Sequence, residues 1–177
     1  MRKIGLIYWP RGGNVESVAR RIYKHFDKSY TDMFDASDIS ATDIVNYACL
    51  IIGGSTTGSE TWQDVAQTNK WNDILSKLDD INLENKIVAV FGLGDQILWP
   101  QNFVDSMIEL RDEFKDRGAR IVGEWPTEGY SFTESNSVVD GKFVGLAIDE
   151  DQQPELTDER IEKWVQQIKK EFGITKD

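Results

Sequence analysis

Residues 4–15 read IGLIYWPRGGNV, and this stretch decides the fold. The apolar run at residues 4–7 predicts a buried strand, which breaks at Gly12 and Gly13 and enters a helical pattern. A turn of this kind aims free backbone N–H groups at one place, with the positive end of the helix dipole behind them. Phosphate is the usual anion at such a place. No Ser or Thr lies within these residues, so the hydroxyl donors common in phosphate loops are missing.

The size and charge of the chain limit what it can be. Its 177 residues are about the size of a single domain, which we expect to span residues 1–177. With 31 acidic and 20 basic residues, the net charge is -11. This charge argues against nucleic acid or an anionic membrane as the partner, and for a protein with a basic patch.

The cysteine count and the apolar runs further limit the kinds of protein and site that the sequence allows. Cys49 is the single cysteine, which excludes an internal disulfide and any multi-cysteine iron–sulfur or zinc site. It lies in an apolar run and is predicted to be a small buried side chain. The sequence shows neither a signal peptide nor an apolar segment of membrane length, so we expect a soluble, cytoplasmic protein.

Strand and helix patterns alternate along the chain and predict a doubly wound α/β domain with five parallel strands. The predicted strands begin near residues 3, 31, 49, 86 and 120, and the predicted helices cover about 14–26, 71–78 and 102–116, with a last one capped by Thr157. Residues 125–143 are predicted to be an excursion with short strands, after which strand character resumes. Ligands of such folds lie beyond the carboxyl ends of the strands, which points to the loops at residues 9–15, 53–62 and 92–103.

Several motifs together resemble the long-chain flavodoxins. They are FGLGDQ at residues 91–96, Trp99 with Asn102 and Phe103, GKFVGLAIDED at 141–151 and TDER at 157–160. The likeness covers nearly the whole chain and is far more specific than a glycine-rich loop alone. It implies a flavodoxin-like five-stranded parallel sheet with helices on both faces, its last strand interrupted by an insertion. It also implies one noncovalently bound FMN.

The same resemblance implies a function. Members of the family carry single electrons at low potential between protein partners and have no substrate of their own, so the chain is expected not to be an enzyme. The acidic surface fits a basic-surfaced reductase as donor and an iron–sulfur protein as acceptor. We expect the chain to act as a monomer.

Site residues follow from the resemblance position by position. Trp99 stands where the family usually stacks a tyrosine on the outer ring face, and an indole offers more stacking area. Asp95 falls where backbone groups meet the pyrimidine edge, and Asn102 and Asp151 match positions that reach the ribityl chain. From the residues alone, the alternative interpretations are a turn residue for Asp95 and a helix cap for Asn102, and the surrounding match favours the cofactor roles. The predicted cofactor-binding residues are Trp9, Pro10, Arg11, Gly12, Gly13, Asn14, Val15, Ser55, Thr56, Thr57, Gly58, Ser59, Trp62, Gly92, Leu93, Gly94, Asp95, Trp99, Asn102, Phe103 and Asp151.

Two departures from the family pattern affect the site. The family loop typically reads Ser/Thr-x-Thr-Gly-x-Thr, and residues 10–15 lack all three hydroxyls. Hydrogen bonds to a charged group contribute about 1.5–3 kcal/mol each, although such contributions need not add. Arg11 is either a charged contact to phosphate or a solvent-facing residue. Thr57 replaces the usual inner-face tryptophan, so either that face is less shielded or Trp62 or Trp9 covers it.

Three functions remain open at this point. The first is an FMN electron carrier. The second is a flavodoxin-like protein that holds FMN weakly or takes another flavin such as riboflavin, and the third is a flavin-less regulatory or binding module. An NAD(P)H-dependent reductase is less favoured, because the sequence shows no second nucleotide motif.

Overall fold

The computed structural model describes residues 1–55 and 70–175 of the chain. Its strands are β1 (Ile4–Tyr8), β2 (Thr31–Asp35), β3 (Cys49–Ser55), β4 (Ile87–Leu93), β5 (Arg120–Val122), β6 (Trp125–Pro126), β7 (Val138–Val139), β8 (Lys142–Phe143) and β9 (Leu146–Ile148). Its helices are α1 (Asn14–Tyr23), α2 (Ala41–Ile44), α3 (Lys70–Leu75), α4 (Ser106–Lys115) and α5 (Thr157–Glu171), with 3-10 turns at Ala36–Asp38 and Pro154–Leu156.

The main sheet is parallel with strand order β2-β1-β3-β4-β5, and β9 also pairs with β4. β5 pairs with the first half of β4, from Ile87 to Ala89, and β9 pairs with the second half, from Phe91 to Leu93. The last strand of the sheet is therefore split in two. The structure confirms the predicted doubly wound fold and its interrupted strand.

The insertion between β5 and β9 forms a small antiparallel sheet with strand order β6-β8-β7. Four aromatic rings pack where this insertion meets the loop before α4, with ring centroids 5.1–5.9 Å apart: Phe103, Tyr130, Phe132 and Phe143. The aromatic cluster gives the insertion its own contact with the core. The predicted excursion with short strands is confirmed.

Helix α1 begins at Asn14, directly after the loop that leaves β1. Its buried face consists of Val15, Val18, Ala19 and Ile22, as the helical spacing predicts. On the opposite face, where the helical spacing places polar side chains, Arg21 is only 24% exposed and forms ion pairs with Glu150 at 2.9 Å and Asp158 at 2.8 Å. The helix is thereby tied to the chain that follows β9.

Strands β3 and β4 continue through their glycines to Ser55 and Leu93. A Cβ atom at Gly53 would lie 2.0 Å from the ring of Phe91, so no other residue fits between the two strands there. The carbonyl of Gly53 accepts from the backbone N–H of Trp9 at 3.2 Å and from the indole of Trp71 at 3.1 Å. Cys49, at the start of β3, is fully buried as predicted.

Two helix starts differ from the prediction. Helix α4 begins at Ser106 rather than near Asn102, because Val104 has φ 50 and the hydroxyls of Ser135 and Ser137 bind the carbonyls that an earlier helix start would use. The predicted cap at Thr157 is wrong. A 3-10 turn that starts with Pro154 makes the chain helical before this residue, which lies inside α5 with φ -62 and ψ -47.

Candidate functional site

A pocket of about 330 Å³ lies at the carboxyl ends of β1, β3 and β4. Its wall consists of Pro10, Asn14, Val15, Ser55, Leu93, Gly94, Asp95, Leu98, Trp99, Glu150 and Asp151. These residues come from the loops that follow the three strands and from the segment after β9. Ligands of doubly wound sheets bind at this position, and small-molecule pockets start at about 300 Å³.

One end of the pocket is a cradle of backbone donors. Within the described part of the chain, no acceptor binds the N–H groups of Gly13, Asn14 and Val15. Asn14 and Val15 line the pocket, and they are the first residues of α1, where the helix dipole favours an anion. Gly12 supports the turn with φ 85, which a residue with a Cβ adopts only with strain.

Glu16 already uses one amide of this loop. Its carboxylate accepts from the backbone N–H of Gly12 at 2.7 Å and from the hydroxyl of Tyr8 at 3.0 Å, and it pairs with Arg20 at 2.7 Å. Arg20, the Gly12 amide and the Tyr8 hydroxyl together lower the pKa of Glu16. The loop is therefore held in shape by an internal anion, and three amides remain for a ligand.

Arg11 points away from the pocket. Its guanidinium binds Asp35 at 3.0 Å and Asp38 at 2.5 Å, both at or just past the end of β2. The side chain of Asp35 is only 2% exposed and also accepts from the N–H of Ser37, so it is a fixed anchor. The hydrogen bond and charge of Asp35, together with Asp38, raise the pKa of Arg11. Arg11 is 57% exposed, which agrees with its interpretation as a solvent-facing residue, and its two ion pairs in addition tie the loop to the neighbouring strand.

The carboxylate of Asp95 shapes the loop after β4. It accepts from the backbone N–H groups of Ile97 at 3.0 Å and Leu98 at 2.9 Å, and from the side chain of Gln152 at 3.1 Å. Burial opposes ionisation of Asp95, but these hydrogen bonds outweigh it and lower the pKa. Asp95 thus closes a turn that leaves Gly94 and Asp95 in the pocket wall.

Asp149, fully buried, connects this loop to the segment after β9. One of its carboxylate oxygens accepts from the backbone N–H of Gln96 at 3.0 Å. The other accepts from the backbone N–H groups of Asp151 at 3.1 Å and Gln152 at 2.9 Å. Gln96 is buried as well, and its side chain accepts from the N–H of Ser131 in the insertion. One carboxylate therefore fixes both loops on this side of the pocket.

The aromatic and apolar part of the wall belongs to the same loop. Trp99 is half-buried, and its backbone N–H donates to the backbone carbonyl of Asp95 at 2.9 Å. Leu98 also lines the pocket and is 65% exposed, while its neighbour Ile97 is 59% exposed. Trp9 is half-buried against the core and is not part of the pocket wall.

Negative charge gathers at the mouth of the pocket. Partial burial raises the pKa of Asp151, and the charges of Asp95, Asp149 and Glu150 raise it further. Glu150 is balanced by Arg21, but no described residue forms an ion pair with Asp151. A ligand here meets a wall that disfavours additional negative charge.

Known proteins match the chain over nearly its whole length. A family model described as flavodoxin matches residues 6–164. The chain is also similar to a flavodoxin of Nostoc sp., with 43% identity over 173 residues that cover 98% of this chain and 99% of that protein.

The chain belongs to the flavodoxin family. It is likewise similar to flavodoxin 1 of Escherichia coli, with 42% identity over 171 residues that cover 96% of this chain and 94% of that protein. The crystal structure of Fusobacterium nucleatum flavodoxin bound to flavin mononucleotide has a TM-score of 0.84 and 32% identity, and the match covers 97% and 99% of the two chains. Flavodoxins are electron-transfer proteins, which confirms that the chain is not an enzyme.

The structure brings together many of the site residues that the flavodoxin resemblance predicts. Those in the pocket wall are Pro10, Asn14, Val15, Ser55, Leu93, Gly94, Asp95, Trp99 and Asp151. Gly12 and Gly13 lie in the loop that forms the donor cradle. Thr56, Thr57, Gly58, Ser59 and Trp62 lie outside the described residues.

Other predicted residues lie apart from the pocket wall. Phe103 is fully buried in the aromatic cluster, and Gly92 is buried in β4 beside Met107. The side chain of Asn102 donates to Asp105 at 3.1 Å. Its interpretation as a helix cap is wrong, because Asp105 is the residue that precedes the first turn of α4. Trp9 and Arg11 anchor the loop outside the pocket. The backbone N–H of Trp9 donates to the carbonyl of Gly53, and the guanidinium of Arg11 donates to the carboxylate of Asp35.

Sequence reasoning missed two residues of the wall, Leu98 and Glu150. Glu150 lies inside the motif at residues 141–151, and Leu98 lies between the motif at residues 91–96 and Trp99. Their positions were therefore available from these motifs, although Leu98 has no chemistry that marks it as a ligand. Glu16 was missed for a different reason, since its role depends on the turn at Gly12.

The described residues of this flavodoxin contain no group of three or more His, Cys, Asp or Glu side chains arranged to hold a metal ion. None of the helices formed by those residues has the length and apolar character needed to cross a membrane.

Proposed function

We propose that this chain binds FMN in the pocket at the carboxyl ends of β1, β3 and β4 and carries single electrons between redox proteins. The observation that carries the proposal is the combination of unpaired amides at the start of α1 with the aromatic slot beside Trp99 in one pocket. When bound, FMN supplies one-electron redox chemistry that no amino-acid side chain here offers.

The donor cradle fits a phosphate group. The N–H groups of Gly13, Asn14 and Val15 are unpaired within the described chain and have the positive end of α1 behind them. The first N–H groups of a helix have no acceptor inside the helix, and Gly13 and Asn14 are exposed, so these donors are accessible to an anion. Backbone donors here replace the hydroxyls that residues 10–15 lack.

The other end of the pocket fits a flat aromatic ring. Trp99 supplies a half-buried indole face, and Gly94 lets the backbone approach closely, because a Cβ there would lie 3.0 Å from the N atom of Val104. The hydrogen bonds of Asp95 and Asp149 hold this wall rigid before a ligand arrives. The charges of Asp95, Glu150 and Asp151 disfavour added electrons that are not accompanied by protons, which lowers the reduction potential.

The surface beside the pocket fits a basic redox partner. Ile97 and Leu98 form an exposed apolar pair, and the carboxylates of Asp95, Glu150 and Asp151 lie around it. A partner with a basic rim and an apolar centre complements this surface, as a basic-surfaced reductase or an iron–sulfur acceptor does. The chain acts in this scheme as a soluble monomer in the cytoplasm.

One observation favours a second candidate function. The loop lacks every hydroxyl donor, and Glu16 places a negative charge on the Gly12 amide next to the cradle. Both features weaken the hold on a phosphate group. A flavodoxin that accepts riboflavin as readily as FMN, or a flavin-less regulatory or binding module, is therefore the alternative.

Titration of the apoprotein with FMN and riboflavin in parallel separates these functions. We expect FMN to bind at least about 100-fold more tightly, because several charge-assisted hydrogen bonds depend on its phosphate. The visible spectrum of the purified protein and identification of the released flavin complete the test. Equal affinity for the two flavins contradicts phosphate recognition, and the absence of flavin binding places the chain in the regulatory class.

A further inference from the structure

A second pocket of about 330 Å³ lies at the opposite end of the sheet from the flavin site. Arg2, Lys86 and Arg120 line it, each at or just before the start of β1, β4 or β5. These strand starts are adjacent in register, because Ile4 and Ile87 both pair with Cys49, and Arg120 pairs with Ile87. β4 has seven residues, so the two ends of the sheet are about 20 Å apart.

Backbone carbonyls hold the three cations in place. Arg2 donates to the carbonyl of Phe172 and Arg120 to that of Glu171, both at 2.9 Å, and Lys86 donates to that of Val45 at 2.5 Å. The carbonyls lie at the C-terminal ends of α5 and α2, where cations are favoured. The side chains are therefore positioned before any ligand binds.

The same three side chains carry positive charge that no described carboxylate neutralises, and they have N–H donors that form none of these bonds. No described carboxylate lies within ion-pair distance of Arg2, Lys86 or Arg120. A guanidinium has five N–H donors and an ammonium has three. Each group uses one of them in the bonds described above, and Arg2 also hydrogen-bonds the thiol of Cys49, so donors remain on all three side chains. The exposed Glu84 is the acidic residue in the pocket wall, and Asn85 offers an amide beside it.

The three cations share one pocket wall and lie near the buried thiol of Cys49. Burial raises the pKa of Cys49, and the positive charges of Arg2, Arg120 and Lys86 oppose that rise. The net charge of the chain is -11, so a positive cluster is the exception in it.

We propose that this pocket, which we call the basal pocket, binds a small oxyanion that carries at least two negative charges, of the phosphate or pyrophosphate type. Three cations against one carboxylate leave an excess of positive charge that a multivalent anion neutralises. The remaining guanidinium donors match the paired oxygens of such an anion. The site is separate from the flavin phosphate cradle, because the two lie at opposite ends of β4.

The test uses the FMN-loaded protein, so that the phosphate cradle of the flavin site is filled. Amide chemical shifts are followed by NMR during titration with inorganic phosphate, with pyrophosphate, and with chloride at matched ionic strength. We expect saturable shifts at Ala48, Lys86 and Arg120 with phosphate and pyrophosphate, and none at Asn14. Shifts that chloride reproduces, or that spread over the whole surface, overturn the proposal.

Charge variants define the site more closely. Lys86→Gln removes one cation of the basal pocket, and Lys3→Gln is the matched control, because Lys3 is paired with Asp32 at 3.8 Å and lies outside the pocket wall. We expect Lys86→Gln to weaken phosphate binding by about threefold or more, the size of one exposed charge contact, and Lys3→Gln to leave it unchanged. Lys86→Arg should retain binding. Equal effects of the two Gln variants, with thermal unfolding showing both folded, overturn the proposal.

Discussion

Arg11 shows how a single side chain acquires its role from residues far away in sequence. The partners of its guanidinium are 24 and 27 positions further along the chain. No local pattern around residues 9–15 predicts these contacts, whereas the strand, the glycine turn and the helix start were all predictable from local spacing. Arg11 thus acts as a tether that holds the phosphate loop against the end of β2.

A pair of variants distinguishes this tether from a direct phosphate contact. Arg11→Gln should weaken FMN binding by about two- to fivefold, as expected for loss of an exposed ion pair that orders a loop. Asp38→Asn should weaken FMN binding in the same direction, because it loosens the same tether. Isothermal titration of the apoprotein provides the measurement.

The Asp38→Asn result decides between the two roles. If Arg11 binds the phosphate directly, release from Asp38 frees its charge and FMN binds more tightly. Riboflavin affinity serves as the control, since loss of a tether to the phosphate loop should leave it nearly unchanged. Tighter FMN binding by Asp38→Asn would contradict the tether.

At the level of the elements, sequence patterns identified nearly every strand and helix but misplaced several ends. β3 and β4 extend through Gly53 and Gly92 because their parallel pairing continues there, and glycine content alone suggested a loop. The start of α4 depends on Ser135 and Ser137, more than 30 positions away. Such endpoints depend on tertiary contacts that local propensity does not contain.

Helix α4 also carries a titratable side chain with an unusual environment. Partial burial, followed by the charges of Asp105 and Asp112, raises the pKa of Glu109 to about 7. The folded state therefore keeps a proton that the unfolded chain has lost between about pH 4.5 and pH 7. The free energy of unfolding should decrease as the pH rises through this window.

Substitution of Glu109 tests the effect. Glu109→Gln should flatten the pH dependence in this window and stabilise the protein above pH 7 by on the order of 1 kcal/mol, since solvent screens a side chain that keeps water access. Urea unfolding at pH 5, 6, 7 and 8 gives the comparison. Glu162→Gln, at an exposed position of α5, is the control. Parallel pH profiles for Glu109→Gln and the unaltered chain would rule out this role of Glu109.

On the scale of the whole molecule, charge is distributed unevenly along the sheet. Carboxylates surround the flavin pocket at the carboxyl ends of the strands, and the basal pocket gathers cations at their amino ends. The net charge of -11 predicted an acidic surface but neither of these two locations, because composition does not specify position. That residues 1–177 form one domain stays a prediction, supported by a single core cluster among the described residues.

This distribution predicts how electron transfer depends on salt. Raising the ionic strength from about 0.1 M to about 1 M shortens the Debye length from about 10 Å to about 3 Å. The transfer rate with a basic-surfaced reductase should therefore fall by about tenfold or more. Stopped-flow measurement of flavin oxidation provides the rate.

Two apolar variants accompany the salt experiment, one that tests the apolar contact with the partner and one that serves as its control. Ile97→Ala should lower the rate at every salt concentration, because it removes apolar contact beside the flavin pocket. Val139→Ala truncates another exposed apolar side chain, on the insertion, and should leave the rate unchanged. A rate that is independent of ionic strength would contradict electrostatic steering.

The split strand has a consequence for how this fold changes over evolution. β5 ends and β9 begins on either side of Val90, and Gly145 packs so closely there that a Cβ would lie 2.1 Å from the Val90 carbonyl. The insertion thus leaves the sheet and returns to it at one point. Its length can change at a small cost in loop entropy in the parts that do not contact Gln96, Phe103 or Val104. Insertions and deletions should therefore accumulate in this segment while the flavin end of the sheet stays constant.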